Sequence, residues 1–227
     1  EEEVIDSQNV KDYAFIGELS LDGSIRSVNG VLPLVLGLKE AGIENIFVPK
    51  ANSKEAALIE DVNIYGAEHL SDVVNHFTEN KLTPIKVDVR EYLTAQTEQN
   101  YAYDFKNVKG QQKAKRALEI AAAGGHNMLM IGSPGSGKTL MAKCFPSILP
   151  PLELSEALEL TKIYSICGLL SENQPLMTTR PFRAIHHTAS ANGIIGGGTT
   201  PKPGEITLAH RGVLFLDEMV EFPRQVL

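Results

Sequence analysis

Long apolar runs are missing from these 227 residues. The longest, 31–38 (VLPLVLGL), is far below the roughly 20 residues that a membrane-spanning helix needs. Cysteine is scarce as well. Cys144 and Cys167 are too few for a disulfide framework and lack the paired spacing of a zinc site. No basic segment leads an apolar one at the start, which reads Glu1-Glu2-Glu3, so the sequence carries no secretory signal pattern. Internal repeats and low-complexity tracts are absent too. With 43% hydrophobic and 22% charged residues, the composition is that of a globular protein able to build a core, and the reading is of a cytoplasmic protein without a membrane partner. The start without methionine and the stop soon after a strong acidic motif at Asp217 suggest a fragment of a longer chain.

What is present divides in two. The net charge of −7 arises from −10 over residues 1–100 and +3 over residues 101–227, an asymmetry expected of two units with different surfaces. In the first, 13–21 (YAFIGELSL) alternates like a half-buried strand, and Asp22-Gly23 predicts a hairpin turn. A helix is expected over 30–41, stopped by Gly42, then a strand at 45–48 and a helix over 52–59 capped by Asn52 or Ser53. A strand (DVNIYGA) and a helix (LSDVVNHFTEN) complete an α/β unit over residues 1–80, and the polar stretch 81–103 reads as a linker. From 104 to 227 the pattern is helix (111–123), a buried strand at 127–131 (NMLMI), a glycine loop and another helix.

That loop, 132–139, reads GSPGSGKT, the G-x-x-x-x-G-K-[ST] pattern of a phosphate-binding loop. Gly132, Gly135 and Gly137 permit backbone angles that turn successive N–H groups inward, with Ser133, Pro134 and Ser136 between them. Lys138 would reach the β- and γ-phosphates of ATP, and the Thr139 hydroxyl would ligate Mg²⁺. The second requirement, acids at the end of an apolar strand, is met by 213–218 (VLFLDE): Asp217 would hold Mg²⁺ and Glu218 would polarise the attacking water.

Two long stretches carry a family resemblance. NVKGQQKAKRALEIAAAGGHNMLMIGSPGSGKT and RPFRAIHHTASANGIIGGGTTPKPGEITLAHRGVLFLDE resemble the magnesium-chelatase-like AAA+ ATPases, and within them the ComM (YifB) group. The resemblance implies a hexameric ring with ATP between subunits, Val108 and Lys109 near the adenine, and branched DNA as the substrate, remodelled by branch migration in natural transformation. It also implies that the loop containing Gly196, Gly197, Gly198 and Lys202 projects toward substrate, with Lys202 as a phosphate contact. Independently, FIGELSLDGSIRSVNGVLPLVLGLKEAGIENIFVPKAN resembles the C-terminal part of the Lon protease catalytic domain. There a catalytic lysine follows a Gly-Gly-Leu segment; the matching stretch here is Asn29-Gly30-Val31-Leu32, and a leucine cannot deprotonate a serine.

The smaller signals read as structural. His186-His187 on a strand would point to opposite faces with no acid nearby in sequence, which argues against metal binding. Glu153, Glu156 and Glu159 read as a solvated helix face; Arg180, Arg183 and Arg211 as surface salt-bridge partners; Met128, Met130 and Met141 as core. The fold expected is α/β: a Lon-like remnant (ribosomal protein S5 domain 2-like) over 1–80, and a P-loop AAA+ domain over 104–227 truncated after the acidic strand. The expected function is Mg²⁺-dependent ATP hydrolysis driving DNA remodelling. The alternatives are a metal-chelatase ATPase subunit, a relative of ATP-dependent proteases without protease activity, or a module that only binds nucleotide.

Overall fold

A computed structural model describes residues 10–79, 82–94, 101–199, 201–224 and 226–227; part of the expected linker and the start of the first expected domain lie outside them. The chain divides into two compact units, Glu1–Leu93 with Thr161–Met177, and Thr94–Leu160 with Thr178–Leu227. The sequence reading had placed all of 104–227 in one unit and carried no signal for the return of 161–177 to the first. No helix among the described residues is long and apolar enough to cross a membrane. The fold is mixed α/β with parallel sheets.

In the first unit, β1 (Tyr13–Phe15) pairs in parallel with β4 (Asn45–Pro49), and β4 with β5 (Asn63–Ala67). The alternating run 13–21 is not one strand. It breaks at Gly17 into β1 and β2 (Glu18–Leu19), and β2 forms the expected hairpin with β3 (Ile25–Arg26) around Asp22-Gly23. Helix α1 (Val31–Glu40) buries Val31, Leu32 and Val35 and ends on left-handed Gly42, whose N–H reaches the Lys39 carbonyl. The short α2 (Ser53–Ala56) follows a 3₁₀ turn; Asn52 does not cap it but clamps Val28 through both backbone groups. In α3 (Leu70–Glu79), Asp72 takes the N–H groups of Glu68 and His69 just ahead of the helix. The helix α4 (Val89–Thr94) comes next. Tyr13, Phe47, Tyr65, His76 and Phe77 form one cluster of rings over the sheet, where burial holds the His76 imidazole below its usual pKa.

A buried acid joins the parts of this unit. Glu55 accepts from the Leu32 N–H (3.0 Å), from the Ser165 hydroxyl and from the Asn52 amide. The carboxylate therefore sits at the positive end of α1, and the returning segment is tied there by Ser165, whose carbonyl also accepts from Gly30. Leu32, which the resemblance matches to the Lon lysine, is fully buried.

The second unit opens with Asp104 capping a 3₁₀ turn, followed by α5 (Gln112–Gly124), α6 (Lys138–Cys144) and α7 (Leu154–Ile166), which is shared between the units at Leu160. Then come β6 (Phe182–Ile185), α8 (Ala191–Ile195), the two-residue strands β7 (Gly196–Gly197) and β8 (Lys202–Pro203), α9 (Glu205–Leu208) and β9 (Val213–Leu216). Phe105, Val108, Leu118, Met141 and Cys144 form its first core cluster, each large side chain contributing about 1.5–3 kcal/mol by burial. A second gathers Ile185, Ile194 and Phe222.

The expected strand 127–131 does not form. No strand among the described residues pairs with it, and Leu129 and Ile131 are 67% and 90% exposed. Met128 is likewise exposed rather than core. An apolar run becomes a strand only when a neighbouring strand takes its backbone groups. The pairing that does form is β6 with β9, parallel, Ile185 opposite Leu216. Its register is set at the entry: Val213 N–H bonds the Pro181 carbonyl at 2.8 Å, and a Cβ on Gly212 would stand 2.2 Å from that oxygen.

Two substitutions test these supports. Glu55→Ala leaves the Leu32 N–H and the Ser165 hydroxyl without this acceptor and removes one of two from the Asn52 amide, and should cost roughly 3 kcal/mol in urea denaturation; an unchanged midpoint would remove Glu55 from the scaffold. Gly212→Ala forces backbone against side chain and should cost about 1–3 kcal/mol. Stability equal to the parent would show that the β6–β9 register is set elsewhere.

Candidate functional site

The loop 132–137 leads directly into α6. Gly135 (φ 76°) and Gly137 (φ 88°) lie in the left-handed region with open space where a side chain would project, so it is their backbone conformation, not crowding, that calls for glycine. Lys138 begins α6 and turns its ammonium onto the carbonyls of Gly132 (2.8 Å) and Ser133 (3.0 Å). Ser133 and Pro134 are exposed. The Ser136 hydroxyl is buried and has no hydrogen-bond partner among the described residues, although the Ser136 carbonyl accepts from Gln111.

The parallel register brings a second segment to the loop. β9 ends at Leu216, and the next residue, Asp217, accepts a 3.3 Å hydrogen bond from the Thr139 hydroxyl, 78 positions earlier. Glu218 follows in a left-handed conformation (φ 52°), its N–H on the Asp217 carboxylate at 3.1 Å. Val108 is buried in the cluster that includes Met141 of α6, its carbonyl held by Lys115, while Lys109 is exposed. Gly196 and Gly197 pair with Pro203 and Lys202 in a small hairpin, with Gly198 in its turn and Thr200 outside the described residues. That hairpin packs on α8 and α9.

Three arrangements escaped the sequence reading. His186 and His187 do not lie on a strand, since β6 ends at Ile185; their rings lie with centroids 4.1 Å apart, tilted by 34°. The acid that seemed absent is Glu218, whose Oε2 lies 3.4 Å from His187 Nδ1. The sequence shows only a short segment before His-His and an apolar run before Asp-Glu; the parallel pairing that brings their ends level appears in the structure. Second, Glu156 and Glu159 are not a free face. Glu156 pairs with Arg180 (2.8 Å) and Arg211 (3.4 Å), and Glu159 with Arg211 and His210. Third, Arg180 is a half-buried clamp, donating to the carbonyls of Pro150, Pro151 and Arg211 as well as to Glu156. Arg183 on β6 grips Glu205 of α9 through both oxygens.

The donor set at the strand ends suits a hard cation with phosphate. A hydroxyl and a carboxylate meet beside an ammonium and a loop with an unpartnered buried hydroxyl. The family model described as magnesium chelatase, subunit ChlI, matches residues 104–227. The chain belongs to the magnesium chelatase subunit ChlI family. A second model, for subunit ChlI of Mg-chelatase, matches residues 2–52. Over 224 residues the chain is 42% identical to the competence protein ComM of Haemophilus influenzae, covering 98% of this chain and 43% of that protein. It is 41% identical over 225 residues to YifB of Escherichia coli, covering 99% and 43%. Lon protease 2 of Syntrophobacter fumaroxidans is 38% identical over 69 residues, 28% of this chain and 9% of the protease. The chain thus spans less than half the length of the ComM and YifB relatives.

Glu205 gives the site a pH signature. The Arg183 hydrogen bonds hold its carboxyl below the usual glutamate range, outweighing partial burial. A depressed folded pKa adds stability that is complete above the unfolded value, about 4.3, and is lost as pH falls through the folded one. Glu205→Gln should therefore lower stability at pH 7 and flatten its decline below about pH 4.3; an acid unfolding curve parallel to the parent's would discard the assignment.

Proposed function

We propose that the second unit is the nucleotide-binding part of an AAA+ ATPase that uses ATP and Mg²⁺. The observation that carries this is the Thr139–Asp217 contact, a phosphate-loop hydroxyl and a strand-end carboxylate joined across 78 residues at the carboxyl end of a parallel pair. ATP with its Mg²⁺ supplies the phosphoryl group and the neutralising charge. The backbone N–H groups of Gly132, Ser133, Gly135, Ser136 and Gly137 form the cradle, with Pro134 shaping the loop, and Lys138 provides the ammonium for the β- and γ-phosphates. Thr139 and Asp217 hold the cation, Glu218 orients and polarises the attacking water, and Val108 with Lys109 borders the adenine.

In a protein of the relatives' full length, we propose a homo-hexameric ring in the cytoplasm that remodels branched DNA, with the hairpin at Gly196–Gly198 and Lys202 as its substrate contact. The similarity to a competence protein supports this reading. The family's description favours a second one, an ATPase subunit of a metal chelatase. The first unit does not separate the two, since it is similar both to Lon protease 2 and to subunit ChlI of Mg-chelatase. A protease is disfavoured by Leu32, buried and bonded through its N–H to Glu55.

ATP hydrolysis by the relatives' full-length form, at fixed low salt with and without a four-way DNA junction, tests the substrate. Stimulation is expected; hydrolysis indifferent to the junction would retain the ATPase and reject DNA. Lys138→Ala should weaken nucleotide binding by calorimetry, and normal binding and turnover in that variant would reject the phosphate loop. Glu218→Gln should bind ATP normally and hydrolyse it about 10²–10⁴-fold more slowly.

A further inference from the structure

The ends of β6 and β9 carry a second set of ligands, distinct from the Thr139–Asp217 pair. Because Ile185 stands opposite Leu216, the next residues of each strand, His186-His187 and Asp217-Glu218, meet at the same level. One ligand atom from each of His186, His187 and Glu218 lies within 4.8 Å of the other two. Among the described residues, His187 Nδ1 is buried without a hydrogen-bond partner, and the Glu218 carboxylate oxygen lies 3.4 Å away. That is long for a hydrogen bond. It is also the spacing, roughly 3.4 Å, of two ligands bound at about 2.0–2.1 Å to one tetrahedral ion. His186 is oriented by Thr188, whose hydroxyl lies 2.9 Å from Nδ1, leaving Nε2 for a ligand. Two imidazoles and a carboxylate form the donor set of a borderline transition ion; Mg²⁺ and Ca²⁺ prefer oxygen alone.

We propose that His186, His187 and Glu218 bind one first-row transition-metal ion of the Zn²⁺ class, with an open fourth position, and that this ion withdraws Glu218 from the attacking water. The site itself stands on its geometry; its effect on hydrolysis rests on the role of Glu218 given above. An ion there satisfies the buried Nδ1 and occupies the carboxylate that hydrolysis requires.

The test titrates the metal-free chain with Zn²⁺ by calorimetry, without nucleotide, and repeats it with Co²⁺ to read tetrahedral coordination from its visible absorption. A Cys167→Ser background removes the half-exposed thiol. One saturable site is expected, weakened at least about tenfold by His186→Ala, His187→Ala or Glu218→Gln, and about tenfold by Thr188→Val. Circular dichroism of each variant separates ligand loss from unfolding. No binding, or folded His187→Ala and Glu218→Gln variants with affinity within about twofold of the parent, would overturn the site, since losing a ligand costs more than that. In the relatives' full-length form, Mg²⁺·ATP hydrolysis should fall as Zn²⁺ fills the site and recover with a zinc-selective chelator. Zinc binding without inhibition would overturn the coupling and keep the site. Absence of hydrolysis at every zinc level would instead count against the ATPase reading.

Discussion

The parallel register of β6 and β9 is the constraint on which the second unit depends. Four residues pair on each side, and within them only Arg183, which grips Glu205, carries a charged side chain. Their effect is positional: the strands end level, so the residues that follow are delivered to one edge. The register is enforced at the opposite edge. Gly212 lets the chain pass against the Pro181 carbonyl, and Arg180 ties the segment before β6 to the Arg211 carbonyl before β9. A slip of one residue would exchange the faces of every side chain in the strand. It would also move Asp217 away from Thr139 and Glu218 away from His187, so packing at the entry sets chemistry at the exit.

The first unit reaches order by another route, a buried carboxylate with every oxygen in use. Isolated, such an ion would be costly; bonded to the end of α1, to Asn52 and to Ser165, it is tolerated and makes three segments interdependent. The same bonding shows what stands at the position that the resemblance matches to the Lon lysine. Leu32 occupies the lysine position with its side chain in the core and its N–H committed to Glu55. The position serves as a packing and capping point.

Legibility followed the range of the physics. The acidic strand end, the Asp22-Gly23 hairpin and the stop at Gly42 are local devices, each specified by a few adjacent residues, and each was readable. The strand expected at 127–131 was not, because apolar character reports a wish for burial while strand formation needs a partner's backbone. Glu156 and Glu159 misled for a related reason: helical spacing places them on one face, but what covers that face, Arg180, Arg211 and His210, lies beyond sequence adjacency. The return of 161–177 rests on Ser165, an ordinary serine in sequence and a ligand of Glu55 in space.

Glu218 concentrates these demands in a single residue. Its left-handed backbone (φ 52°, ψ 50°) costs a non-glycine residue about 1–2 kcal/mol. Two hydrogen bonds offset that cost: its N–H meets the Asp217 carboxylate, and its carbonyl accepts from Glu221 at 2.9 Å. The turn ends β9 and separates two consecutive acids, sending Asp217 to the phosphate-loop hydroxyl and Glu218 to the histidines. Composition alone would make Asp-Glu a pair of equivalent charges. The strained turn makes them unequal, one committed to the loop and one left 65% exposed at its side chain, free to change partners. The role proposed for Glu218, a carboxylate acting on water, needs that freedom, and the same freedom would open it to the ion proposed between His186 and His187.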